Sequence, residues 1–543
     1  MKRFRFRSVI ALANSRMSIR FAAVLLASST LVSALLGLFR DRLLNSYYLD
    51  TYPSGIDAYT VAFNIPDFMF FILVSGALAV TFIPVFNQRL VAGNKKSAWE
   101  LSSSTLNIMA IFTLLASVLM MIFADPLIRY VVGPGMNEAA MTLAINMMRV
   151  IAINPFLFAI ATVISSIQQA VGRFFFVALA PALYNIGIII GIVWFTNGIN
   201  LFGVQIFEGG IMGVALGVVL GAILQLLVSM IGLFGLGFDY DFKIRWKNLG
   251  FKAVLKLLPA RSLDQGIDYV DNIVKTSLAS HMGPGVIRSY QQAATLRMMP
   301  VNLIGVAIST AFFPKMTEDL GEGNEEEYRK TMRSALRMII FISLPITVIA
   351  YFARGYVVSF IRNGGDALIA NILGAFAVAI FFSSVYHIAA RGFYARQNTR
   401  TPLIVSVFAI GLNIGLAVVF SMVWHWGPEG LAYATAIGTA LEVVILLGIL
   451  QAQSRGLLLN LRFWRSLMRM IVAGVITGCV AYSMTKFFPL LETDVSFFVT
   501  FPKFALITTM AIGAYFIAGY FLSIDEIQPV VDRVKRIVFR NAR

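Results

Sequence analysis

Long apolar segments recur along the whole chain, and they constrain its fold more than any other feature of the sequence. About 20 apolar residues in a helix cross the hydrocarbon core of a bilayer. Charged residues make up only 13% of the chain, against roughly 25% in soluble domains. The sequence therefore predicts an all-α polytopic membrane protein. The fourteen predicted spans are 20–39, 57–86, 103–124, 141–169, 174–196, 210–236, 253–280, 286–314, 333–353, 367–390, 402–424, 430–452, 466–487 and 499–522.

Lysine and arginine collect in alternate connecting segments, which predicts the orientation of the chain. They are concentrated in residues 89–96, 243–256 and 455–469, whereas residues 196–210 and 424–430 contain neither lysine nor arginine. Because positive residues stay on the cytoplasmic side, both ends are expected in the cytoplasm. The net charge of +17 then indicates orientation rather than nucleic-acid binding. The basic opening MKRFRFR is followed by no small-residue cleavage site, so we expect a retained anchor.

Two halves of the chain resemble each other. The stretch QQAVGRFFFVALAPALYNIG (168–187) matches RQNTRTPLIVSVFAIGLNIG (396–415) at an offset of about 228 residues, which pairs Asn185 with Asn413. An even number of spans separates the copies, so they are expected to be parallel repeats around a central cavity. The predicted domains are two six-helix bundles, two additional helices and a basic cytoplasmic tail, at 1–240, 241–455, 456–525 and 526–543.

The first predicted hairpin places ionisable residues beside hydrocarbon. Arg40 and Asp41 close its first apolar run, and Asp57 lies in the opening turns of the second. Such groups are costly in a membrane and usually mark a pathway or a binding site. The alternative is an interfacial stop, in which Arg40 extends to the lipid headgroups.

A second charged pattern occupies the seventh span. Spacings of three and four residues place its charges on one face of a helix, and that face cannot contact lipid. It either lines a wet cavity that handles ions or a charged headgroup, or neutralises itself and holds the bundles together. Arg288 and Arg297 add cations in the next span. The charges of the seventh span are Arg261, Asp264, Asp268, Asp271 and Lys275.

Catalytic and metal-binding patterns are missing from the sequence. The segment GNKKS (93–97) lacks the first glycine and the preceding strand of a phosphate-binding loop. The three histidines have no metal-ligand spacing. We therefore expect no enzyme activity, no cofactor and no metal. Any transport is expected to draw on a gradient, or on the gradient of the substrate itself, rather than on ATP hydrolysed by this chain.

Six motifs follow one another over about 20–450 in an order typical of one family. They are GLFRD (37–41), DAYTVAFNIPD (57–67), SGALAVTFIPVF (75–86), RFFFVALAPALYNI (173–186), GVAISTAFFP (305–314) and GFYARQNTRTP (392–402). With them the chain resembles the MurJ (MviN) lipid II flippases of the multidrug/oligosaccharidyl-lipid/polysaccharide (MOP) exporter superfamily.

The resemblance implies a V-shaped pair of bundles around a cationic cavity, with the last two spans forming a groove for a lipid tail. It implies that an undecaprenyl-diphosphate-linked peptidoglycan precursor, lipid II, is moved to the outer leaflet of a bacterial cytoplasmic (inner) membrane. Lipid II and membrane lipids are the expected partners, cell-wall synthesis proteins are candidate partners, and a monomer is expected.

The resemblance also assigns roles to particular residues. Arg40 is expected to clamp phosphate, because arginine forks suit diphosphates, and Asp57 to orient it or to gate. The cavity and gating candidates are Asp41, Asp264, Asp268, Asp271, Lys275 and Asn413.

Three arginines of the family are replaced in this chain, by Ala34, Phe70 and Thr295. The substrate-binding candidates that could replace them are Arg261, Arg288 and Arg297. Lys275 and Ala417 stand where members often carry acids of a sodium site, with Asn413 retained. These exchanges predict sodium-independent behaviour.

Three other functions fit the same sequence. The first is export of a different polyprenyl-linked oligosaccharide, which the lost arginines favour. The second is a cation-coupled drug exporter, for which acids and aromatic residues would be expected rather than a phosphate clamp. The third is a non-transporting scaffold of cell-wall assembly, which would have little reason to retain Arg40 and a charged helix face.

Overall fold

The chain folds into two compact units, Met1–Ile287 and Arg288–Arg543, in the computed structural model. The structure describes residues 17–201, 204–491 and 493–528. The basic opening MKRFRFR and most of the predicted basic tail lie outside those residues. The seventh predicted span, 253–280, lies in the first unit. The predicted domain boundary at residue 240 was drawn from the sequence repeat, and it stays a prediction.

The regular elements of the first unit, within the described residues, are helices and one small hairpin, and the longest irregular connection is 232–248. The hairpin pairs β1 (Ile199–Leu201) with β2 (Val204–Phe207) in antiparallel register. The helices are α1 (Ile19–Tyr48), α2 (Pro53–Ala62), α3 (Asn64–Phe70), α4 (Gly76–Val91), α5 (Lys95–Ile122), α6 (Ala124–Pro126), α7 (Glu138–Ile151), α8 (Asn154–Ala170), α9 (Phe175–Val193), α10 (Met212–Ile231) and α11 (Leu249–Ser280). Shorter helical turns are the π-helical Phe71–Ser75 and Leu127–Val132 and the 3₁₀ turn Phe195–Asn197.

The regular elements of the second unit are all helices in the part that the structure describes. Its helices are α12 (Val286–Val301), α13 (Ala307–Gly321), α14 (Glu325–Phe352), α15 (Arg354–Ser359), α16 (Ala367–Ala395), α17 (Arg400–Val418), α18 (Gly427–Gln453), α19 (Leu461–Phe487) and α20 (Phe497–Phe521). Shorter helical turns are the π-helical Asn302–Val306 and Val419–Val423 and the 3₁₀ turn Asp525–Ile527.

Among the described residues, 13 helical segments are long and apolar enough to cross a membrane. The remaining predicted span, 253–280, forms helix α11, whose 32 residues are long enough but highly charged. An all-α polytopic membrane protein is therefore confirmed. The count differs from fourteen only because α11 carries the charges that the sequence places on one helix face.

The second predicted span is interrupted rather than continuous. Helix α2 ends at Ala62 and α3 begins at Asn64. Pro66 has no N–H to donate to the carbonyl of Ala62, which weakens the helix at this point. The side-chain amide of Asn64 donates to the carbonyls of Thr60 at 3.3 Å and of Val61 at 3.5 Å. The break therefore places a polar amide among buried residues.

A π-helical segment between two prolines occurs in both units. The first unit has the π-helical segment Phe71–Ser75 between Pro66 and Pro84, and the second has Asn302–Val306 between Pro300 and Pro314. The matching helices α9 and α17 also each contain 19 residues. These parallels support the predicted repeat, and π-helical segments are frequent at functional sites.

Helices α9 and α10 approach each other through glycines. A Cβ atom on Gly191 would lie 2.6 Å from the Cα of Gly217, and one on Gly187 would lie 2.3 Å from the Cα of Gly221. Small residues at such a contact let two membrane helices pack backbone against backbone.

Each unit buries its own apolar core. In the first unit Phe82, Phe86 and Phe251 are completely buried. In the second, Tyr328 and Phe393 are completely buried. The helices of each unit are therefore packed around a core of their own.

Candidate functional site

Arg40 lies inside helix α1 and is held by two partners. Its Nε and Nη2 atoms donate to Oδ1 of Asp41 at 3.2 and 3.0 Å, and its Nη1 donates to Oδ1 of Asn185 at 3.1 Å. The helix continues past this pair to Tyr48. The guanidinium is therefore directed toward helix α9, whereas an interfacial stop would extend it to the membrane surface.

Asn185 is in turn fixed by acceptors within helices α1 and α9. Its Nδ2 donates to the carbonyl of Ser33 at 3.3 Å, to Oγ of Ser33 at 3.2 Å and to the carbonyl of Pro181 at 3.2 Å. These bonds orient its amide so that the oxygen faces Arg40. Reasoning from the sequence did not place Asn185 in the site, although its repetition as Asn413 was a signal.

The arginine retains donor capacity for a ligand. A guanidinium has five N–H donors, and three of them serve Asp41 and Asn185. The Arg40 side chain is 24% exposed, so the remaining two are not sealed off. Tyr59, Tyr184 and Asp67 lie within electrostatic range, which makes this a mixed polar pocket rather than a purely cationic one.

Asp57 occupies a separate position in the same unit. It is 3% exposed, and its Oδ2 accepts the backbone N–H of Gly285 at 2.5 Å. A cavity of about 230 Å³ adjoins it, lined also by Ser54, Asn137 and Ser280. Asp57 thus ties the start of α2 to the segment after α11, a contact suited to a gate.

Helix α11 contacts the interrupted second span through amide and hydroxyl groups. Asn272 Nδ2 donates to Oδ1 of Asn64 at 3.1 Å, and Oγ1 of Thr276 donates to the same oxygen at 3.4 Å. Sequence reasoning missed this bridge, although Asn272 and Thr276 are one helical turn apart.

The charged face of α11 is partly described. Lys275 is 2% exposed, and its Nζ donates to Oδ2 of Asp271 at 2.8 Å. All five predicted charges lie on this one helix. The side chains of Arg261, Asp264 and Asp268 lie outside the described part of the chain. The ion pair Asp271–Lys275 neutralises two charges of this face, and both interpretations of the face stay predictions.

The second unit holds the other three candidates. Arg288 is buried, at 6% exposure. The guanidinium carbon of Arg297 lies 4.8 Å from the ring centre of Phe376, a cation–π contact. Asn413 is 7% exposed and packs on Gly438, where an added Cβ would lie 2.9 Å from the Cβ of Asn413.

The three positions that lack the family's arginines hold side chains of other kinds. Ala34 is exposed, and Phe70 packs edge-to-face on Phe158 with ring centres 5.4 Å apart. Thr295 is exposed and donates to the carbonyl of Gln291 at 2.9 Å. None of these three side chains supplies a positive charge.

Solved structures of related fold define the class of this protein. A structure described as "Lipid II flippase MurJ, inward closed conformation" matches with a TM-score of 0.73 and 23% identity, covering 93% of this chain and all of that one. An inward-facing multidrug resistance MATE family transporter of the MOP superfamily matches with a TM-score of 0.63 and 18% identity, covering 80% of this chain and 98% of that one. The chain thus has the fold of the MOP transporters.

Sequence comparison gives the family. The family model described as "Lipid II flippase MurJ" matches residues 53–501, and the chain belongs to the MurJ family. The "Probable lipid II flippase MurJ" of Bdellovibrio bacteriovorus is 25% identical over 530 residues, covering 96% of this chain and 98% of that protein. The "Lipid II flippase MurJ" of Thermosipho africanus is 27% identical over 437 residues, covering 79% and 86%.

Proposed function

We propose that this chain is a flippase that moves lipid II from the cytoplasmic to the outer leaflet by alternating access. Membership of the MurJ family supports this function. The observation that carries it is the geometry of Arg40, a partly exposed guanidinium oriented by Asp41 and Asn185 with two N–H donors left over. Transport rather than catalysis is the activity that follows from it.

The donors of Arg40 suit the diphosphate of the substrate. Charge-assisted hydrogen bonds from arginine to phosphate are stronger than neutral ones and are directional. Asp41 reduces the net positive charge at the site, which weakens the attraction for the diphosphate and so favours release of the lipid. Asp57, bonded to Gly285, is proposed to hold one end of this unit closed in one transport state. Both roles rest on residues that the sequence pattern singled out.

Cations from other positions are proposed to complete the substrate site. Arg288 and Arg297, together with Arg261, take the place of the arginines lost at Ala34, Phe70 and Thr295. Replacing the three with alanine is expected to weaken lipid II binding. Unchanged binding in that triple variant would remove these residues from the site and leave the rest of the proposal intact.

The chain is proposed to lie in the cytoplasmic membrane as a monomer with both ends inside. In a Cys479→Ser background, the exposed residues Glu208 and Lys95 offer matched labelling positions. Glu208→Cys is expected to react with a membrane-impermeant maleimide in intact cells, and Lys95→Cys only after permeabilisation. The reverse pattern would invert the topology.

Rescue of a bacterium depleted of its own lipid II flippase tests the function. The wild-type chain is expected to restore growth, and Arg40→Ala is expected to fail although it reaches the membrane. Arg465→Ala is the matched control, because Arg465 is an exposed arginine at the start of α19 and should rescue as well as wild type.

The outcomes separate the function from the site. Rescue by Arg40→Ala would retain the function and move the phosphate contact to other cations. Failure of the wild-type chain in membranes that contain it at normal levels would favour a different lipid-linked substrate. Direct binding of purified lipid II would then decide between a substrate mismatch and an incompatible host.

A further inference from the structure

We propose that the first unit carries a binding site for the phosphate of an anionic phospholipid, separate from the substrate site. The site is a cavity of about 790 Å³ between the end of α4, the start of α5 and the segment before α11. Four cationic side chains and one acidic side chain line it, namely Arg89, Lys96, Arg245, Lys247 and Glu100. By the proposed orientation it opens at the cytoplasmic face.

Two helix N-termini meet at this cavity. The side chain of Asn94 caps α5 by accepting the N–H of Ser97 at 3.0 Å, and Asn248 caps α11 by accepting the N–H of Gly250 at 3.0 Å. Asn248 also donates to the carbonyl of Ser97 at 3.1 Å, which joins the two ends. Helices α5 and α11 contain 28 and 32 residues, and each N-terminus carries partial positive charge.

Arg89 adds a full positive charge to these helix ends. Its Nε donates to Oγ of Ser97 at 3.2 Å and its Nη1 to the carbonyl of Val85 at 3.2 Å. A Cβ atom on Gly250 would lie 2.3 Å from its guanidinium carbon, so the cation rests on the first turn of α11. Within the described residues no carboxylate pairs with Arg89. A cation at a helix N-terminus is unfavourable, and a bound anion would reverse that.

The remaining lysines increase the positive potential. Lys96 and Lys247 are exposed, and they form no ion pair within the described residues, whereas Arg245 is paired with Asp241 at 2.6 Å. The segment GNKKS contributes Asn94, Lys96 and Ser97 to the lining of this cavity.

The rim of the cavity indicates that the phosphate belongs to a lipid. Leu249 is 76% exposed and Trp246 is 55% exposed, and both line the cavity. Phe242, nearby on the same segment, is 85% exposed. Tryptophan and neighbouring apolar side chains at this level are typical of a membrane interface, and basic pockets on the cytoplasmic side bind anionic headgroups. A soluble phosphate would not need such a rim.

Binding of short-chain phosphatidylglycerol to the purified full chain in neutral detergent tests the proposal. Saturable binding is expected, with phosphatidylcholine of the same chain length binding far more weakly. The variant Lys96→Gln with Lys247→Gln should weaken phosphatidylglycerol binding roughly tenfold, because two cations near the headgroup are lost. The matched control, Lys243→Gln with Lys252→Gln, removes two exposed lysines of the neighbouring segment that do not line the cavity and should bind like wild type.

Three results would overturn the proposal. Equal weakening in the variant and the control would indicate diffuse surface charge instead of a site. Equal affinity for glycerol 3-phosphate and phosphatidylglycerol would assign the cavity to a soluble phosphate. Absence of saturable binding would remove the site altogether. Because the measurement does not involve flipping, its result is independent of the rescue experiment.

Discussion

The proposed role of Arg40 in substrate binding depends on the shape of its side chain as well as on its charge. It donates in two directions, to Asp41 and to Asn185, while presenting its remaining N–H groups to a ligand. Lysine is a point charge on a flexible stem and lacks the planar fork. We expect Arg40→Lys to reach the membrane but to bind lipid II about tenfold more weakly, a loss of about 1.4 kcal/mol.

Titration of purified variants with lipid II measures this difference. Arg465 is exposed and has no partner within the described residues. The variant Arg465→Lys therefore provides the matched control and should bind lipid II as tightly as wild type. If Arg40→Lys also binds like wild type, charge alone accounts for the role of Arg40, and the orientation by Asn185 is irrelevant to binding.

Individual residues of the candidate site differ in how well the sequence predicts them. Arg40, Asp41 and Asp57 stand out because charge beside hydrocarbon is costly. The contact between Arg40 and Asn185 joins residues 145 positions apart, and no local pattern encodes such a pairing. The bridge from Asn64 to Asn272 was missed for the same reason, because these two residues are 208 positions apart.

The close packing of helices α9 and α10 depends on glycine. An added methyl on Gly191 would lie 2.6 Å from the Cα of Gly217 and 2.9 Å from the carbonyl oxygen of Gly213, so the helices would have to move apart. Overpacking of this kind costs about 1–3 kcal/mol. We expect Gly191→Ala to lower the melting temperature of the purified protein.

Gly448→Ala is the control for that measurement. Gly448 lies within helix α18 and a Cβ there would meet nothing within 4 Å, so alanine should be neutral or slightly stabilising. Similar melting temperatures for the two variants would mean that α9 and α10 are not in close backbone contact.

The connection between α19 and α20 is expected to be sensitive to pH. Asp494 accepts hydrogen bonds from Nζ of Lys503 at 2.6 Å and from the N–H of Leu491 at 3.0 Å, and the bond from Lys503 is the main reason that the pKa of its carboxyl is lowered. A lowered pKa stabilises the fold above the unfolded value of about 3.9, and that contribution is lost as the pH falls through the folded value.

Melting of wild type and Asp494→Asn at several pH values tests this contribution. The variant is expected to be less stable by about 1–2 kcal/mol at pH 7, and the difference should shrink once the pH falls below about 4. Glu208→Gln, which removes an exposed carboxylate, should show no difference at either pH. A pH-independent deficit in Asp494→Asn would indicate a role for its shape rather than its charge.

The sequence predicted the helices more completely than the interruptions within them. Each apolar run of the sequence predicted a helix because the membrane leaves the backbone few alternatives. The break near Phe63 and the π-helical Phe71–Ser75 fall inside one continuous apolar run, where hydropathy cannot detect them. Pro66 was the available signal. Helix α11 was predicted correctly from the spacing of its charges even though its composition differs from that of the other spans.

The transport cycle of the whole molecule requires a driving gradient, and the surroundings of Lys275 bear on whether sodium supplies it. The buried ammonium of Lys275, hydrogen-bonded to Asp271, stands where family resemblance leads one to expect an acid of a sodium site. Two like unit charges 4 Å apart repel by about 4 kcal/mol at an effective dielectric constant of 20. A sodium ion close to Lys275 is therefore disfavoured, because the charge of the Asp271 carboxylate is already balanced by this ammonium.

We therefore expect lipid II binding and rescue of growth to be independent of sodium. Binding by the purified chain should change less than twofold when sodium chloride is replaced by potassium chloride of equal ionic strength. Choline chloride is the control, because it separates an effect of losing sodium from an effect of adding potassium. Binding that falls in both replacement salts would contradict the prediction, and it would mean that a cation site forms without the two acids, around ligands other than Lys275.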